Sequence, residues 1–354
     1  MNEIRVAIDL RLAAYRAGGI ARYGVELSRG LRQIPGVTPL EARSRKDRIA
    51  PPGSLKLWTP PHHHLERVAL GGEMLFRRRR WDVYHAPDFI VPHLHGAPAV
   101  ATVHDLNFLD APDHLTAESR WYYRQLFTSI DDTDLLIVPS EWTASRLSRS
   151  AGIDRDDIVV VPHGVPSFLA GLTPTPRSSR SNFLLAVGTI EPRKNYDLLL
   201  DALADSDFHR ELIIVGGVGW EAEETRRRIE STPNVTWLRQ ADDRLLRHLY
   251  RDAIAVLVPS FDEGFGFSAL EGMAAGTPVI SSGRGALPEV TGGGALTVAS
   301  SNPHDWSDAI ERVVSDSAEW SRLSGAGIDR SRAFTWKAAA ESTLSAYLIA
   351  LESH

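Results

Sequence analysis

Short apolar runs recur along this chain, each bounded by glycine, proline or charge. In the first half they are Ile4–Leu10, Trp81–His85, Ala99–Val103, Leu135–Ser140 and Ile158–Val165. In the second half they are Asn182–Gly188, Leu212–Val215, Val235–Arg239, Ile254–Val258 and Thr277–Ser281. Continuous apolar runs of this length, without alternation, predict strands covered on both faces. Helical periodicity falls between them, at Gly19–Leu27, Glu118–Asp131, Glu141–Arg149, Tyr196–Ala204, Asn302–Ser315 and Trp336–Leu351. A strand followed by Pro-Ser occurs at Val138-Pro139-Ser140 and again at Val258-Pro259-Ser260. Each half is therefore read as one doubly wound α/β domain. Residues 35–66 have poor periodicity and predict only a short strand at Leu55–Trp58. The segment 171–181, rich in Pro, Ser and Thr, predicts a linker. The expected division is 1–172, a linker at 173–181, 182–335, and a last helix at 336–354.

Composition narrows the class. The chain has 354 residues, enough for two domains, with 43% hydrophobic and 24% charged residues. A net charge of −6 gives no support to nucleic-acid binding. There is no cysteine, which excludes disulfides and thiol catalysis. The first residues lack the apolar core of a secretory signal, and no apolar run approaches the ~18 residues that span a bilayer. A cytoplasmic protein is expected. The charge is uneven, since residues 1–80 hold 16 Lys/Arg against 7 Asp/Glu. The run Arg77–Arg80 reads either as a solvated helix end or as a peripheral contact with an anionic membrane face or acceptor.

The richest chemistry lies in Pro259-Ser260-Phe261-Asp262-Glu263-Gly264-Phe265-Gly266-Phe267-Ser268-Ala269-Leu270-Glu271-Gly272, directly after the Ile254–Val258 run. A glycine-rich loop joins a strand to a helix there. Helix N-termini present backbone N–H groups and a positive dipole end, and phosphate is their natural occupant. Gly264 and Gly266 allow close backbone approach. Glu263 before the helix and Glu271 within it are placed to grip hydroxyls on either side of a diphosphate. Alternatively, Glu271 complements the dipole and Glu263 is a solvated loop acid.

The run Glu263–Ser282, followed by Leu287-Pro288-Glu289-Val290, resembles the donor-site signature of retaining glycosyltransferases of family 4, and Gly188-Thr189-Ile190-Glu191-Pro192-Arg193-Lys194-Asn195 looks most like its mannosyltransferase-type branch. The resemblance implies a GT-B fold, with two Rossmann-like domains facing across a cleft and the last helix crossing back to the first domain. It implies transfer of a sugar from a nucleoside diphosphate sugar to a hydroxyl of a glycan, glycolipid or small molecule, as in polysaccharide biosynthesis. GDP-mannose is the first expectation for the donor and UDP-glucose the second. No cofactor and no metal is expected, because protein cations take the place of Mg²⁺. By the same resemblance Lys194 binds the donor phosphates, with Arg193 beside it. Thr189 stands where many members carry an arginine after the glycine, here Gly188. Glu263 is assigned to sugar hydroxyls and Glu271 to the ribose, with Gly264, Phe265, Gly266, Phe267 and Ser268 around the diphosphate. His104, at the end of a strand and followed by Asp105, is assigned beside the donor sugar, donating to an oxyanion or orienting a hydroxyl. Gly18 and Gly19 are expected to line the cleft, with Arg22 near an anion. Leu238 marks the loop that meets the base.

Gly217-Val218-Gly219-Trp220-Glu221-Ala222 fits G-x-G-x-x-A. It follows the second strand of its domain, however, and no acid ends the next strand to hold a ribose. Gly217 is therefore assigned to the sugar nucleotide rather than to a dinucleotide. Adjacent residues share no face, so His62-His63-His64 is not expected to bind a metal. A nucleotide-sugar isomerase and a non-catalytic nucleotide-sugar sensor remain as alternatives to transfer.

Overall fold

The computed structural model describes residues 3–14, 18–48, 50–61, 63, 65–77, 80–94, 96–110, 125–204 and 210–354. The chain divides into two compact units, residues 1–164 with 335–354, and residues 165–334. The first unit contains β1 (Ile4–Asp9), α1 (Gly19–Leu31), β2 (Val37–Ser44), β3 (Leu55–Leu57), α2 (Glu66–Leu75), β4 (Val83–Ala86), β5 (Ala99–Thr102), α3 (Asn107–Asp110), β6 (Leu135–Val138), α4 (Glu141–Ala151) and β7 (Ile158–Val160). The second contains β8 (Phe183–Val187), α5 (Tyr196–Ala204), β9 (Glu211–Val215), α6 (Glu223–Ser231), β10 (Val235–Leu238), α7 (Asp243–Asp252), β11 (Ala255–Val258), α8 (Phe267–Ala274), β12 (Val279–Ser281), α9 (Leu287–Thr291), β13 (Ala295–Thr297), α10 (Pro303–Ser315) and α11 (Ser317–Ser331). A final helix, α12 (Trp336–Ser353), belongs to the first unit and packs on α1.

Both sheets are parallel, in the order β3-β2-β1-β4-β5-β6-β7 and β10-β9-β8-β11-β12-β13. The apolar runs form their centres: every residue of β4, β5, β6 and β11 is buried. Tyr23, Leu27 and Leu31 of α1, with Ala340 and Tyr347 of α12, cover one face of the first sheet. Leu70, Met74 and Trp81 lie in the core on the other. In the second sheet Trp306, Ile310, Val313 and Trp320 cover one face, and Leu246, Tyr250, Leu270 and Met273 the other. The helix punctuation is local. Ser140 caps α4 by accepting from Thr143 N, and Gly152 ends it in the left-handed conformation. Asp242 caps α7 by accepting from Leu245 N at 2.7 Å.

Three expectations are corrected. The first is β2, hidden by Pro39 and by charges at Glu41 and Arg43. These charges are buried and mutually neutralised: Glu41 accepts from Ser28 Oγ at 2.8 Å and from Arg43 Nε at 2.8 Å. Charges satisfied in pairs inside a sheet break the apolar pattern without breaking the strand. The second is α11, whose Gly325 and Gly327 mask an apolar stripe of Trp320, Leu323 and Gly327. The third is the linker at 173–181, which is packed into the second unit. Arg180 donates to Ala253 O at 3.0 Å and to Gly276 O at 3.0 Å, and Ser181 N donates to Asp252 O at 2.9 Å. Leu169 is in the second core with Val165 and Phe168 against it, so the chain changes unit at Gly164/Val165 and at Phe334/Thr335. Of the helix expected at 118–131, residues 118–124 lie outside the described residues and 125–130 are helical.

Candidate active site

The strand order of the second unit reverses between β8 and β11, which are neighbours through Leu184–Ala255 and Leu185–Val256. Loops at the carboxyl ends of such a pair form the ligand crevice of open α/β sheets. Both expected donor loops arise there. After β8 the chain makes a turn at Pro192–Lys194, and Asn195 closes it in the left-handed conformation at φ 53°. Asn tolerates that conformation better than most residues. Asn195 Nδ2 then donates to Pro259 O at 3.2 Å, and Phe261 N donates to Arg193 O at 2.8 Å. The two loops are thus locked side by side.

Arg193 and Lys194 converge on one buried carboxylate. Lys194 Nζ donates to Glu263 Oε1 at 2.7 Å, Arg193 Nη1 to Glu263 Oε2 at 2.9 Å, and Ser260 Oγ to Oε1 at 2.6 Å. Glu263 is 6% exposed. Burial pushes its carboxyl up, but the charges of Lys194 and Arg193 and the hydrogen bonds from Lys194 and Ser260 outweigh burial and hold it at about 2. Arg193 is also fixed by Glu191 at 2.9 Å and by Asp262 O at 2.8 Å. The glutamate expected to hold sugar hydroxyls therefore uses three of its roughly four acceptor positions inside the protein. It clamps the two cations.

Gly266 precedes α8 in the left-handed conformation, at φ 103°. Ser268, in the first turn of α8, lines the same small recess as Lys194, Tyr196 and Ser260. The helix start and the cation are thus brought together, as the sequence implies. Phe265 and Glu271 are buried, and Phe265 meets Phe267 edge-on at 5.4 Å. One residue of this site was not singled out from the sequence. Gly285 has φ 64°, and a Cβ there would lie 2.5 Å from Glu263 N and 2.6 Å from Glu263 O. With Ala286 N donating to Glu263 O at 2.8 Å, it buttresses the glutamate from behind. The Gly-Arg-Gly before Leu287-Pro288-Glu289-Val290 was the available signal.

The glycine loop after β9 has a structural explanation. Ile190 N donates to Gly217 O at 2.8 Å and Gly219 N to Ile190 O at 2.8 Å, stitching this loop to Gly188-Thr189-Ile190. A Cβ at Gly216 would lie 2.0 Å from Gly188 O, and one at Gly219 2.8 Å from Thr189 Cγ2. Gly217 has open space at the Cβ position. Leu238 O accepts from Gly216 N at 2.9 Å, so Leu238 supports the loop through its backbone. Gly216→Ala should lower stability by about 1–3 kcal/mol, because the clash is with backbone. Denaturant unfolding checks this, and unchanged stability would refute the close packing.

In the first unit His104 follows β5 and is half-buried against Tyr23, edge-on at 4.8 Å, and His163, at 5.3 Å. Its Nε2 lies 2.8 Å from Pro87 O, and a carbonyl only accepts, so Nε2 carries the proton. Burial lowers its pKa, so the ring is neutral and Nδ1 is an acceptor. This geometry leaves His104 able to orient a hydroxyl and removes the expected oxyanion-donor role. His85 and His163, not singled out from the sequence, complete a trio. His85 Nδ1 meets Tyr347 Oη at 2.5 Å and its Nε2 meets Thr102 Oγ1 at 2.8 Å. Burial first, then the repulsion that a protonated His104 would exert, pushes His85 down to about 3 and His163 well below the usual range.

An open recess of about 410 Å³ lies at the strand reversal of the same unit, between the ends of β1 and β4. Asp9, Arg11, Glu66 and Asp88 line it, with Ile20 and Ala21 of α1. Arg11 is buried and donates to Asp9 and Glu66 at 2.6 Å each and to Thr59 O at 3.0 Å. Gly18 and Gly19 open α1 beside this recess, with open space at both Cβ positions. In the basic run, Arg78 and Arg79 lie outside the described residues, as do His62 and His64. Among the described residues no three His, Cys, Asp or Glu side chains are grouped to hold a metal ion.

Comparison with known proteins follows this geometry. The family model described as "Glycosyl transferases group 1" matches residues 174–330, and the one described as "Glycosyltransferase Family 4" matches residues 17–167. An O-antigen chain mannosyltransferase B of Escherichia coli is 30% identical over 298 residues, covering 77% of this chain and 77% of that protein. A D-inositol 3-phosphate glycosyltransferase of Corynebacterium diphtheriae is 28% identical over 354 residues, 91% of this chain and 81% of that protein. Among solved structures, sucrose-phosphate synthase from Thermosynechococcus elongatus superposes with a TM-score of 0.75 at 22% identity, covering 99% of this chain and 100% of that one. HepE of Anabaena, in complex with UDP and glucose, gives a TM-score of 0.76 at 16% identity, covering 97% and 99%. With both halves matched and the fold shared end to end, the chain belongs to the family 4, group 1 glycosyltransferases of GT-B fold, which transfer a sugar from a nucleotide sugar.

Proposed function

We propose that this protein is a retaining, metal-independent hexosyltransferase that moves mannose from GDP-mannose to a hydroxyl of a glycan or glycolipid. One observation carries the donor site: two cations and the start of α8 converge where the loops after β8 and β11 meet, around a buried glutamate held ionised. A diphosphate departing from the sugar needs its developing charge neutralised, and preorganised donors do this without reorganising at the moment of reaction. Lys194 has three N–H donors, of which Glu263 takes one, and the Arg193 guanidinium adds a fixed positive charge beside it. Glu263 positions them, Ser268 and the α8 amides complete the anion site, and Glu271 serves the ribose. His104 orients a sugar hydroxyl through Nδ1. The acceptor occupies the recess lined by Asp9, Arg11 and Asp88, where the Asp88 carboxylate suits hydroxyl groups.

The mannosyltransferase relative supports mannose, and the nucleotide is the most open part of the reading. Thermal melting with GDP, UDP and ADP tests it, since a ligand at 100 times its Kd stabilises by about 2.7 kcal/mol. GDP should give the largest shift. A larger shift with UDP would replace the donor, and no shift with any of the three would reject the donor site. Turnover in EDTA, with the anomeric configuration of the product read by NMR, tests the remaining two terms.

A further inference from the structure

The first unit carries a surface that sugar transfer does not use. Trp58, Leu65, Val68, Leu75 and Phe76 stand 69%, 64%, 65%, 56% and 90% exposed. Leu65, Val68, Leu75 and Phe76, with exposed Ala69 and Gly72 between them, recur at helical spacing and form one outward stripe along α2. Glu66, Leu70, Gly71 and Met74 turn inward. Trp58 follows β3, the edge strand, and its backbone N donates to Glu73 of α2 at 3.0 Å, which sets the indole beside the helix. A surface helix ordinarily turns its apolar stripe to the core. This one has a second stripe facing out.

The exposed charges flanking the stripe are mostly cations, while Arg67 of α2 is paired with Asp132. The acids between residues 41 and 80 are Glu41, Asp47, Glu66 and Glu73. The first three are buried and held by Arg43 or Arg11, and Glu73 accepts from Trp58 N and Thr59 N. Arg45, Lys46, Arg48, Lys56 and Arg80 are exposed. The Arg45 guanidinium lies 3.6 Å from the Trp58 ring centroid. Lys56 donates to Asp47 O, and Arg77 to Glu73 O and Lys56 O. Backbone carbonyls leave the Lys56 charge uncompensated, while Arg77 also faces the Glu73 carboxylate.

We propose that the outer face of α2, with Trp58 and the flanking Arg and Lys side chains, docks the protein on an anionic lipid bilayer. Leu65, Val68, Leu75 and Phe76 enter the headgroup–acyl boundary, Trp58 sits at the interface, and the cations meet lipid phosphates. A bilayer is negative on every side of the inserted stripe, which matches cations on both β3 and the end of α2. A protein partner for so largely basic a rim would need acids around most of its own apolar patch. No described helix is long and apolar enough to cross a membrane, so the contact is with the surface.

Cosedimentation of the full chain with vesicles tests this. Vesicles of phosphatidylcholine and phosphatidylglycerol at a 3:1 ratio should bind the protein, less so at high salt, and phosphatidylcholine alone should bind it weakly. Lys46→Ala and Lys56→Ala should each lower affinity about fivefold. The Val68→Ser, Phe76→Ser double variant should lower it by roughly tenfold or more. All variants should keep the wild-type melting temperature and the nucleotide-induced shift, which separates failure here from failure of the donor site. Equal binding to both vesicle types would overturn the anionic-lipid assignment. Undiminished binding by the double variant would overturn the face. Wild-type protein that ignores vesicles but self-associates, with self-association lost in Phe76→Ser, would assign the face to a contact between copies and overturn the proposal.

Discussion

Lys194→Ala should lower kcat by about 10²–10³-fold, the range measured when one preorganised donor to a developing oxyanion is removed. The ammonium is the one side-chain cation lining the small recess it shares with Ser268 of α8. Arg193 cannot move into its place, because its guanidinium is tied to Glu191, Asp262 O and Glu263. The loss should fall on kcat more than on KM, because the charge it answers grows in the transition state. A stability check belongs with it, since Glu263 loses one of its two cationic partners. Lys194→Ala with a native melting temperature and near-normal kcat would reject the assignment of the leaving-group cation.

Acid should destabilise the first unit well before it reaches Glu263. His85 and His163 are buried and His104 half-buried, all with folded pKa values below 6.5, so above pH 6.5 they are neutral both folded and unfolded and their full contribution is present. As pH falls below 6.5 the unfolded chain binds protons that the folded one refuses, and stability declines. Each histidine contributes up to about 1.4 kcal/mol per pH unit until its folded pKa is reached. From pH 6.5 to 5 His85 alone should remove roughly 1.7 kcal/mol, and His163 adds to it in the same direction, against the ~5–15 kcal/mol typical of a domain. Glu263 acts in a different window. Its folded pKa of about 2 lies below the model-peptide range, so its stabilisation is present above roughly pH 4.5 and is lost only as pH falls from there toward 2. Thermal melts at pH 7.5, 6.5, 5.5 and 5 should show a steepening decline that His85→Asn makes shallower by one proton. A flat melting temperature across that range would mean the trio is not buried as described.

Much of the site was legible because its chemistry is local in sequence. The strand, glycine loop and helix from Val258 to Ala274 are contiguous, and so is the Arg193-Lys194 turn. Two separate local features each pointed to phosphate. What each residue does there was less legible. Glu263 read as a sugar ligand because a loop acid has no visible partner in one dimension. Its partners are 69 and 70 residues away. The loop after β9 was assigned to the sugar nucleotide, and one dimension could not show that its Gly216 and Gly219 also make room for the loop of Gly188 to Ile190.

The sequence by itself determined the elements and the class. Unbroken apolar runs can only be strands covered on both sides, and a glycine loop ahead of a helix can only present amides. Two parallel sheets follow from that, with the proposed phosphate site at the end of the fourth strand of the second. Tertiary structure alone decided which charges cancel. Glu41 and Arg43 vanish into a strand, Arg11 into a recess wall, and Glu263 onto two cations, while Arg45, Lys46 and Lys56 remain outside beside a bare apolar helix face. The reason is that a charge's role depends on the distance to its partner and on the water between them, and both are set by folding across the chain rather than along it.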